Sequence, residues 1–214
     1  MKNIAVLVAM GMEADCLIKR IEGAQKDGRF LRGRIGQAEV TLLRCGWGMR
    51  NADKGLRALV DHCHPDVVVN YGVSGGLVPE IGLSETVVAA SSFPASGKAY
   101  QIGIAESADE TLADFAAHLI EGARVAPVST SLGIIVNKRR KARVAEKSGA
   151  LCIDMESYAA AKAANELGVP LLVIRCMSDT YEPASMVMFF KNGRAAAEKV
   201  AAETELVIKE LSAR

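Results

Sequence analysis

The sequence predicts an α/β fold in which a central sheet is covered by helices on both faces. The first observation is that strand-sized apolar runs alternate with helical patterns along the chain, as in sheets that are buried on both sides. The second is an early pair of strands joined by a tight turn, which adds antiparallel or barrel character. Because no shift in composition divides the 214 residues, we expect one domain spanning 1–214.

The first part of the chain predicts three strands and two helices. NIAVLVA has the continuous apolar pattern of a buried strand, and a helix follows from about Met12 to Ile21 with Leu17 and Ile18 on its apolar face. GRFLRGRIG and AEVTLLRCG predict two strands joined by a turn at Gly36-Gln37. NADKGLRALVDHC then predicts a helix that ends before Pro65.

The remainder continues the alternation of strands and helices. Strands are predicted at DVVVNYG, ETVVAAS, GIIVN, ALCID and PLLVIRCMS. The pattern of DETLADFAAHLIEGA is that of an amphipathic helix, and basic and alanine-rich helices separate the later strands. A long helix beginning near Asn192 closes the chain.

Composition excludes several classes of function. The 26 basic and 25 acidic side chains leave no electrostatic footprint for nucleic acid, and no run is long enough for a membrane span. We find no signal peptide, so we expect a cytoplasmic protein. The five cysteines are scattered along the sequence, and we expect them to be buried thiols. The cluster at residues 62–64 (HCH) has no second cluster in the sequence that would complete a metal site.

Residues with useful chemistry follow the predicted strands. In α/β sheets ligands bind beyond the carboxyl ends of strands, so these residues are expected to gather at one rim. They are Gly11-Met12-Glu13, Gly46-Trp47-Gly48, the glycine-rich residues 72–76, Asp154-Met155-Glu156 and Ser178-Asp179. The sequence therefore predicts a small-molecule site with carboxylates and glycine turns.

The residues GVSGG at 72–76 also match G-x-S-x-G, in which a serine nucleophile sits on a strand-to-helix turn. Such hydrolases need a histidine after the serine in chain order, and His118 alone follows Ser74. His118 falls in the predicted amphipathic helix, where a surface position is expected. We therefore interpret the segment as a ligand cradle. Since P-loop and dinucleotide-binding patterns are also missing from the sequence, no cofactor and no metal are expected.

Three segments in order resemble the nucleoside phosphorylase superfamily: AMGMEA, GWGMRNADKGLRALVDHCHPDVVVNYGVSGGL and IDMESYAAAKAANELGVPLLVIRCMSDT. Within it they look closest to the hydrolytic branch that cleaves 5'-methylthioadenosine and S-adenosylhomocysteine. The resemblance implies a three-layer α/β/α sandwich with a mixed, barrel-like central sheet. It also implies a nucleosidase acting on an adenine nucleoside with a modified 5' position, and a homo-oligomer, most simply a dimer.

The resemblance implies catalytic roles for two carboxyl groups. Asp179 corresponds to the general acid that protonates N7 of the purine, and Glu13 to the residue that positions and deprotonates the attacking water. Glu156 corresponds to the residue that holds the ribose hydroxyls, with Met155 against the sugar. The remaining residues that the resemblance assigns to the substrate pocket are Val73, Ser74, Gly75, Ile135, Val136 and Ser178.

The chemistry of the bond supports these residue types independently. Breaking an N-ribosidic bond leaves a purine anion unless a proton is delivered, and it leaves a ribosyl cation that a negative environment stabilises. A carboxylic acid of raised pKa and a carboxylate base meet both needs. Taken singly, Glu13 also fits a first-turn helix acid and Asp179 the cap of a turn, so the ordered set carries the functional interpretation.

Two segments depart from the hydrolytic branch. SFPASGKAYQIG lacks its usual acidic, tyrosine and histidine residues, and GIIVN offers Ile135 and Val136 where an aromatic residue usually stacks on the purine. TYEPASMVMFFKNGRAAA, with SGALCIDMES, looks more like the hopanoid-associated branch that acts on adenosylhopane. The apolar residues of that segment fit either a 5' pocket or core packing: Met186, Met188, Phe189 and Phe190.

Two further alternatives remain open at the level of sequence. Phosphorylases place arginines against phosphate, and four arginines lie near the relevant region without a recognisable motif: Arg32, Arg34, Arg44 and Arg50. Water is therefore the expected nucleophile and phosphorolysis the alternative. A nucleoside-binding protein without turnover is the second alternative, although binding alone does not require a proton donor paired with a base.

Overall fold

The computed structural model of the chain describes residues 1–96, 101–182 and 185–213, and it has the mixed α/β architecture that the sequence predicts. The helices of this part of the chain are α1 (Gly11–Ile18), α2 (Met49–Cys63), α3 (Glu110–Leu119), α4 (Lys138–Ser148), α5 (Ser157–Leu167) and α6 (Ser185–Ser212). Its strands are β1 (Asn3–Val8), β2 (Glu22–Asp27), β3 (Phe30–Ile35), β4 (Ala38–Arg44), β5 (Val67–Gly76), β6 (Thr86–Ser96), β7 (Gln101–Ile102), β8 (Glu106–Ser107), β9 (Arg124–Ser131), β10 (Cys152–Asp154) and β11 (Leu171–Asp179).

The strands form one mixed sheet that closes on itself. Strands β10, β9, β6, β11 and β5 are hydrogen-bonded in this order, and β10 also pairs with β5, so these strands make a closed ring. Beyond β5 the sheet continues through β1 to the predicted hairpin, which is β4 and β3, and ends at the edge strand β2. Strand β5 runs parallel to β1 and β11 and antiparallel to β10. The predicted barrel character is therefore confirmed.

Helices cover both faces of this sheet, as expected for strands with apolar residues on both sides. One core cluster packs α1, α3 and α6 against the sheet, and a second packs α2 and α5 against its other face. A smaller cluster around Val144 joins α4 to the barrel. The chain thus forms the three-layer α/β/α arrangement with a barrel-like central sheet.

Several element boundaries differ from those predicted. GIIVN is not a strand: the strand in that region is β9, and Ile135 instead packs in the small cluster while Ile134 and Val136 are exposed. Strand β9 escaped prediction because it buries serine and threonine side chains, such as Thr130, in place of an apolar run. The exposed polar strand β2 was also missed.

Three further boundaries moved. Helix α1 ends at Ile18 rather than Ile21, and the closing helix begins at Ser185 rather than near Asn192. The glycine-rich residues 72–76 are the end of strand β5 and not a turn, because they remain hydrogen-bonded to β11 and β10.

Parts of two segments on which the sequence departs from the hydrolytic branch, residues 97–100 and 183–184, lie outside the described residues. Among the helices that are described, none combines the length and the apolar character needed to cross a membrane.

Candidate active site

One cavity lies at the rim where β5, β10 and β11 end. It encloses about 720 Å³ of empty space, counting the part open to solvent. The wall residues that sequence analysis selected are Glu13, Val73, Ser74, Gly75, Ile135, Met155, Glu156, Ser178 and Asp179. The predicted rim is thus a concave surface on which these residues meet. Val136 is absent from this wall and is 44% exposed.

Glu13 is fixed by backbone donors at the start of α1. Its Oε2 accepts a hydrogen bond from the Met10 N–H at 2.9 Å, as the acid of a capping box does, and its Oε1 accepts one from the Val73 N–H at 2.8 Å. The side chain is only 2% exposed, and this burial raises the pKa of its carboxyl to about 6. Glu13 therefore both caps a helix and presents a carboxyl group of raised basicity to the cavity.

Glu156 lies between α2 and α5 on another side of the cavity. Its Oε1 accepts a hydrogen bond from the Gly48 N–H at 2.7 Å. Burial, together with the charge of nearby Asp154, raises the pKa of the Glu156 carboxyl to about 7. At neutral pH this carboxyl group is therefore present in both its protonated and its ionised form.

A buried arginine compensates the charge beneath these carboxyl groups. Arg175 of β11 is 2% exposed, and its Nε donates to Asp154 Oδ2 at 2.7 Å. Its Nη1 donates to the backbone oxygen of Asn70 at 3.0 Å. Asp154 also accepts a hydrogen bond from Thr130 Oγ1 at 2.7 Å. Because both charges are paired and hydrogen-bonded, this ion pair leaves no uncompensated charge of its own beneath the cavity.

The glycines of β5 allow the two predicted catalytic carboxyl groups to approach the strand closely. A Cβ atom at Gly72 would lie 2.6 Å from Glu13 Oε1, and one at Gly75 would lie 2.9 Å from Asp179 Oδ2. Both distances are shorter than real Cβ contacts, so a side chain at either position would force the carboxyl group to shift. The cradle predicted from residues 72–76 is therefore a strand that lacks side chains where the carboxyl groups lie.

Asp179 reaches this strand through an irregularity in β11. Met177 pairs with Ser74 and Asp179 pairs with Gly75, so Ser178 is one extra residue on β11. Such a bulge changes the direction of the following side chain. Ser178 itself is buried, and its Oγ donates to the backbone oxygen of Ser74 at 3.2 Å.

Asp179 is held by a lysine that sequence analysis did not select. Lys141 of α4 is 1% exposed, and its Nζ donates to Asp179 Oδ1 at 2.9 Å and to the Thr180 backbone oxygen at 2.6 Å. Burial raises the pKa of Asp179, while the Lys141 ammonium acts in the opposite direction. Among the described wall residues, Lys141 has the single cationic side chain.

Ser74 does not have the surroundings of a serine nucleophile. It lies within the ladder between β5 and β11, and its Oγ donates weakly to Met177 Sδ at 3.5 Å. His118 is exposed in the last turn of α3, as predicted. The geometry agrees with the interpretation of this segment as part of a ligand site.

The open side of the cavity is apolar. Met186 and Phe189 of α6 line it, together with Trp47 and Ile134. Trp47 is 54% exposed and Ile134 is 52% exposed. Of the other apolar residues considered in this segment, Phe190 is exposed and Met188 contacts Thr180 through its sulfur atom.

Other candidate residues lie away from the cavity. None of the four arginines considered for phosphate, at positions 32, 34, 44 and 50, lines it. His62 lies 3.1 Å from Asp27 Oδ2 and stacks on Phe30, which gives this histidine a structural role. Across the described residues, no three His, Cys, Asp or Glu side chains are grouped to hold a metal ion.

The residues missed by sequence reasoning differ in how visible they were. Arg175 is a lone charge inside the apolar run LLVIRCM, and such a charge indicates a buried ion pair. Lys141 lies in the basic run NKRRKAR, which has the composition of a solvated helix face and gives no sign of burial.

Comparisons with known proteins agree with this fold. The model of the Phosphorylase superfamily matches residues 3–209. The 5'-methylthioadenosine/S-adenosylhomocysteine nucleosidase of Geobacillus kaustophilus (strain HTA426) is 30% identical, over 97% of this chain and 96% of that protein.

Solved structures of the same kind superimpose closely. The Streptococcus pneumoniae nucleosidase with the transition-state inhibitor MT-ImmA has a TM-score of 0.90 at 22% identity, covering 98% of this chain and 99% of that one. The Colwellia psychrerythraea 34H nucleosidase with adenine has a TM-score of 0.91 at 22% identity, covering 98% and 96%. The resemblance found in the three sequence segments is confirmed, and the chain belongs to the phosphorylase superfamily.

Proposed function

We propose that the protein is a nucleosidase that cleaves the N-ribosidic bond of an adenine nucleoside with a modified 5' position, with water as the nucleophile. The observation that carries this proposal is the convergence of Glu13, Glu156 and Asp179 on one cavity beside the glycines of β5. The curated relative of 30% identity is named as a nucleosidase of methylthioadenosine and adenosylhomocysteine, which supports this substrate class.

Glu13 is proposed as the general base. Its two backbone donors fix both carboxyl oxygens, and its pKa of about 6 leaves it ionised at neutral pH yet more basic than an exposed glutamate. A water molecule hydrogen-bonded to this carboxylate is oriented for attack on C1' of the ribose. The proton of that water passes to Glu13 as the new C–O bond forms.

Asp179 is proposed as the general acid at the opposite end of the β5 cradle. Gly72 and Gly75, against which the two carboxyl groups pack, are separated by roughly 10 Å of extended strand. Acid and base can thus act on opposite sides of a bound sugar, as direct displacement by water requires. The electron pair of the broken C1'–N9 bond moves onto the base while N7 takes a proton from Asp179.

The remaining wall residues are proposed to bind the nucleoside. Glu156 accepts hydrogen bonds from the ribose hydroxyls, and Met155 packs on the sugar. Ile135 contacts the base by apolar packing, and Val73 to Gly75 line the sugar pocket. Met186 and Phe189 of α6 are suited to an apolar 5' substituent because they line the open side of the cavity.

Water is favoured over phosphate by the charge of the cavity wall. Phosphate sites in proteins are built from guanidinium groups and helix N-termini, and the four candidate arginines are not part of the described wall. Two copies of the chain are proposed to associate, because the resemblance to the hydrolytic branch implies a dimer. Light scattering at increasing protein concentration tests this association.

The test of function is adenine release from methylthioadenosine, adenosylhomocysteine and a long-chain 5'-deoxyadenosyl compound, each with and without phosphate. Release that does not depend on phosphate, with free ribose derivative as product, is the expected result, and the rates rank the 5' groups. A requirement for phosphate, with ribose-1-phosphate as product, would move the protein to the phosphorolytic enzymes. Absence of release from all three compounds would contradict the proposed function.

The role of Asp179 is tested by Asp179→Asn, which keeps the shape of the side chain and removes its acid. Turnover is expected to fall by a factor of about 10² to 10⁴, while folding and much of the ligand affinity remain. Asp109→Asn is a matched control, since Asp109 caps α3 by accepting a hydrogen bond from the Leu112 N–H and asparagine caps equally well. Full activity of Asp179→Asn would remove the proposed acid.

A further inference from the structure

Lys141 is a buried ammonium group inside the proposed active site. It has three N–H donors, of which one goes to Asp179 Oδ1 at 2.9 Å and another to the Thr180 backbone oxygen at 2.6 Å. Burial of a charged group is costly unless it is paired, so the contact with Asp179 compensates Lys141. The two side chains come from α4 and β11, and the fold brings them together across 38 positions of sequence.

The other charged groups near this pair are engaged elsewhere. On α4, Lys138 pairs with Glu182 at 2.9 Å and lies over the Tyr181 ring at 4.8 Å from its centroid. Across the cavity, the Glu13 carboxylate is held by its backbone donors and Glu156 by Gly48. Asp154 is paired with Arg175. The charged group that acts directly on Asp179 is therefore Lys141.

This contact raises a chemical problem for the proposed reaction. A hydrogen bond from an ammonium favours the ionised form of a carboxyl group, because the charged pair is held together by attraction as well as by the hydrogen bond. A general acid must instead hold a proton when the bond to the base breaks. An ammonium that already donates to the carboxylate is the nearest source of that proton.

We propose that Lys141 supplies, through Asp179, the proton that leaves with the base. The inference rests on the proposed function and extends it by one proton transfer. As the C1'–N9 bond breaks, its electron pair moves onto the purine. The Lys141 ammonium gives a proton to the Asp179 carboxylate, which passes a proton on to N7, so that Asp179 is ionised both before and after the step. Lys141 becomes a neutral amine, and Glu13 has received the proton of the attacking water. Release of that proton and reprotonation of Lys141 restore both groups.

Lys141 in this scheme acts through Asp179, so it is a positioning and proton-supplying residue. The variant Lys141→Met removes the ammonium and keeps a chain of similar length. Its kcat/KM at pH 8 is expected to fall by a factor of about 100 or more, the usual size of a proton-transfer contribution. At pH 5 the loss becomes smaller, because Asp179 without its cation takes up its own proton in acid solution.

The measured quantity is the ratio of variant to wild-type kcat/KM for adenine release between pH 5 and pH 8. Use of the ratio cancels the effect of pH on Glu13, which both proteins share. The proposal expects this ratio to increase at least about tenfold as the pH falls, which corresponds to regaining part of the proton-transfer contribution. A ratio that is constant across this range indicates a purely structural role and overturns the proposal.

Two more variants make the result specific. Lys138→Met is the same chemical change on the same helix, away from Asp179, and it is expected to leave the ratio at about one across the pH range. Lys141→Arg keeps the charge and the donors but does not release a proton, since guanidinium pKa values exceed about 12. It is expected to remain as slow as Lys141→Met at pH 8 and to gain nothing at pH 5. Restoration of wild-type rates by arginine would overturn the proposal.

A direct contact between Lys141 and the base is distinguished by substrate choice. In that case Lys141→Met would alter the preference between an adenine and a 6-oxopurine nucleoside and leave the pH profile unchanged, which would overturn the proton-supply role. Thermal unfolding of each variant identifies any that fails to fold. If Lys141→Arg fails to fold, the pH dependence of Lys141→Met alone decides whether Lys141 supplies the proton. If the proposed function itself is wrong, the result is different, because the wild-type protein then releases no purine from any substrate.

Discussion

The close contact between Gly75 and Asp179 allows the position of the proposed acid to be changed without mutating it. Alanine is compatible with the backbone of Gly75, which lies in a strand, but its Cβ would fall 2.9 Å from Asp179 Oδ2 and 3.0 Å from Oδ1. An ordinary contact of this kind begins at 3.4 Å. The carboxyl group must therefore retreat by about 0.5 Å, which is the tolerance within which functional groups have to be held.

The expected consequence of Gly75→Ala is a selective loss of turnover. A misplacement of about 1 Å can cost a factor of about 100 in rate, so a retreat of half that distance is expected to cost about 10-fold. The overpacking should lower the free energy of unfolding by about 1 kcal/mol, the low end for such changes, since Asp179 lies beside a cavity into which it can move. Initial rates of adenine release at saturating methylthioadenosine measure the first effect, and thermal unfolding measures the second.

The matched control is Gly82→Ala, whose Cβ would meet nothing closer than Glu85 Oε1 at 3.4 Å. This variant is expected to retain wild-type turnover. If Gly75→Ala is as active as Gly82→Ala, the carboxyl group of Asp179 does not need its observed position, and the reasoning from close approach is wrong. Equal loss of activity in both variants would point to a general effect of alanine in these segments.

Three further outcomes follow from the site. Ser74→Ala should keep kcat within about tenfold of wild type in the same assay, because removal of a true serine nucleophile costs about a millionfold. The acid limb of kcat/KM should fall between about pH 6 and pH 7, since burial raises the pKa of Glu13 to about 6 and that of Glu156 to about 7. Protonation of Glu13 disables the base, and protonation of Glu156 removes an acceptor for the ribose hydroxyls; a limb near pH 4.5 would contradict this. Arg175→Met should lower the free energy of unfolding by about 3 to 5 kcal/mol, because it leaves the Asp154 charge buried and unpaired. Denaturant unfolding checks the last value, and an unchanged midpoint would refute it.

The fold could be predicted from the sequence where the apolar pattern is strong. Strands β1 and β11 are buried along their whole length or nearly so, and their continuous apolar runs predicted them correctly. Strand β9 was missed because three of its five buried positions are serine or threonine, and the Thr130 hydroxyl donates a hydrogen bond to Asp154. GIIVN was wrongly assigned as a strand for the complementary reason, since its apolar residues serve cluster packing and the cavity wall.

The site could be predicted from the sequence where carboxyl groups lie at the ends of buried strands. Glu13 and Asp179 follow buried strands, and such positions converge in a sheet of parallel strands. Lys141 could not be predicted in the same way, because it lies on a helix in a run of basic residues, of which Arg140 and Arg143 are exposed. Its burial depends on the packing of α4 against the barrel, which is a property of the tertiary structure and not of local pattern.

The extra residue in β11 makes the site sensitive to chain length as well as to residue identity. Without Ser178 the ladder with β5 would run regularly past Met177, and Asp179 would pair with Gly75 as the direct successor of Met177. Its side chain would then lose the direction that the bulge gives it. A single-residue deletion there would thus preserve every proposed catalytic side chain and still misdirect the acid. The number of residues between Arg175 and Asp179 is therefore constrained, in addition to the identity of the acid.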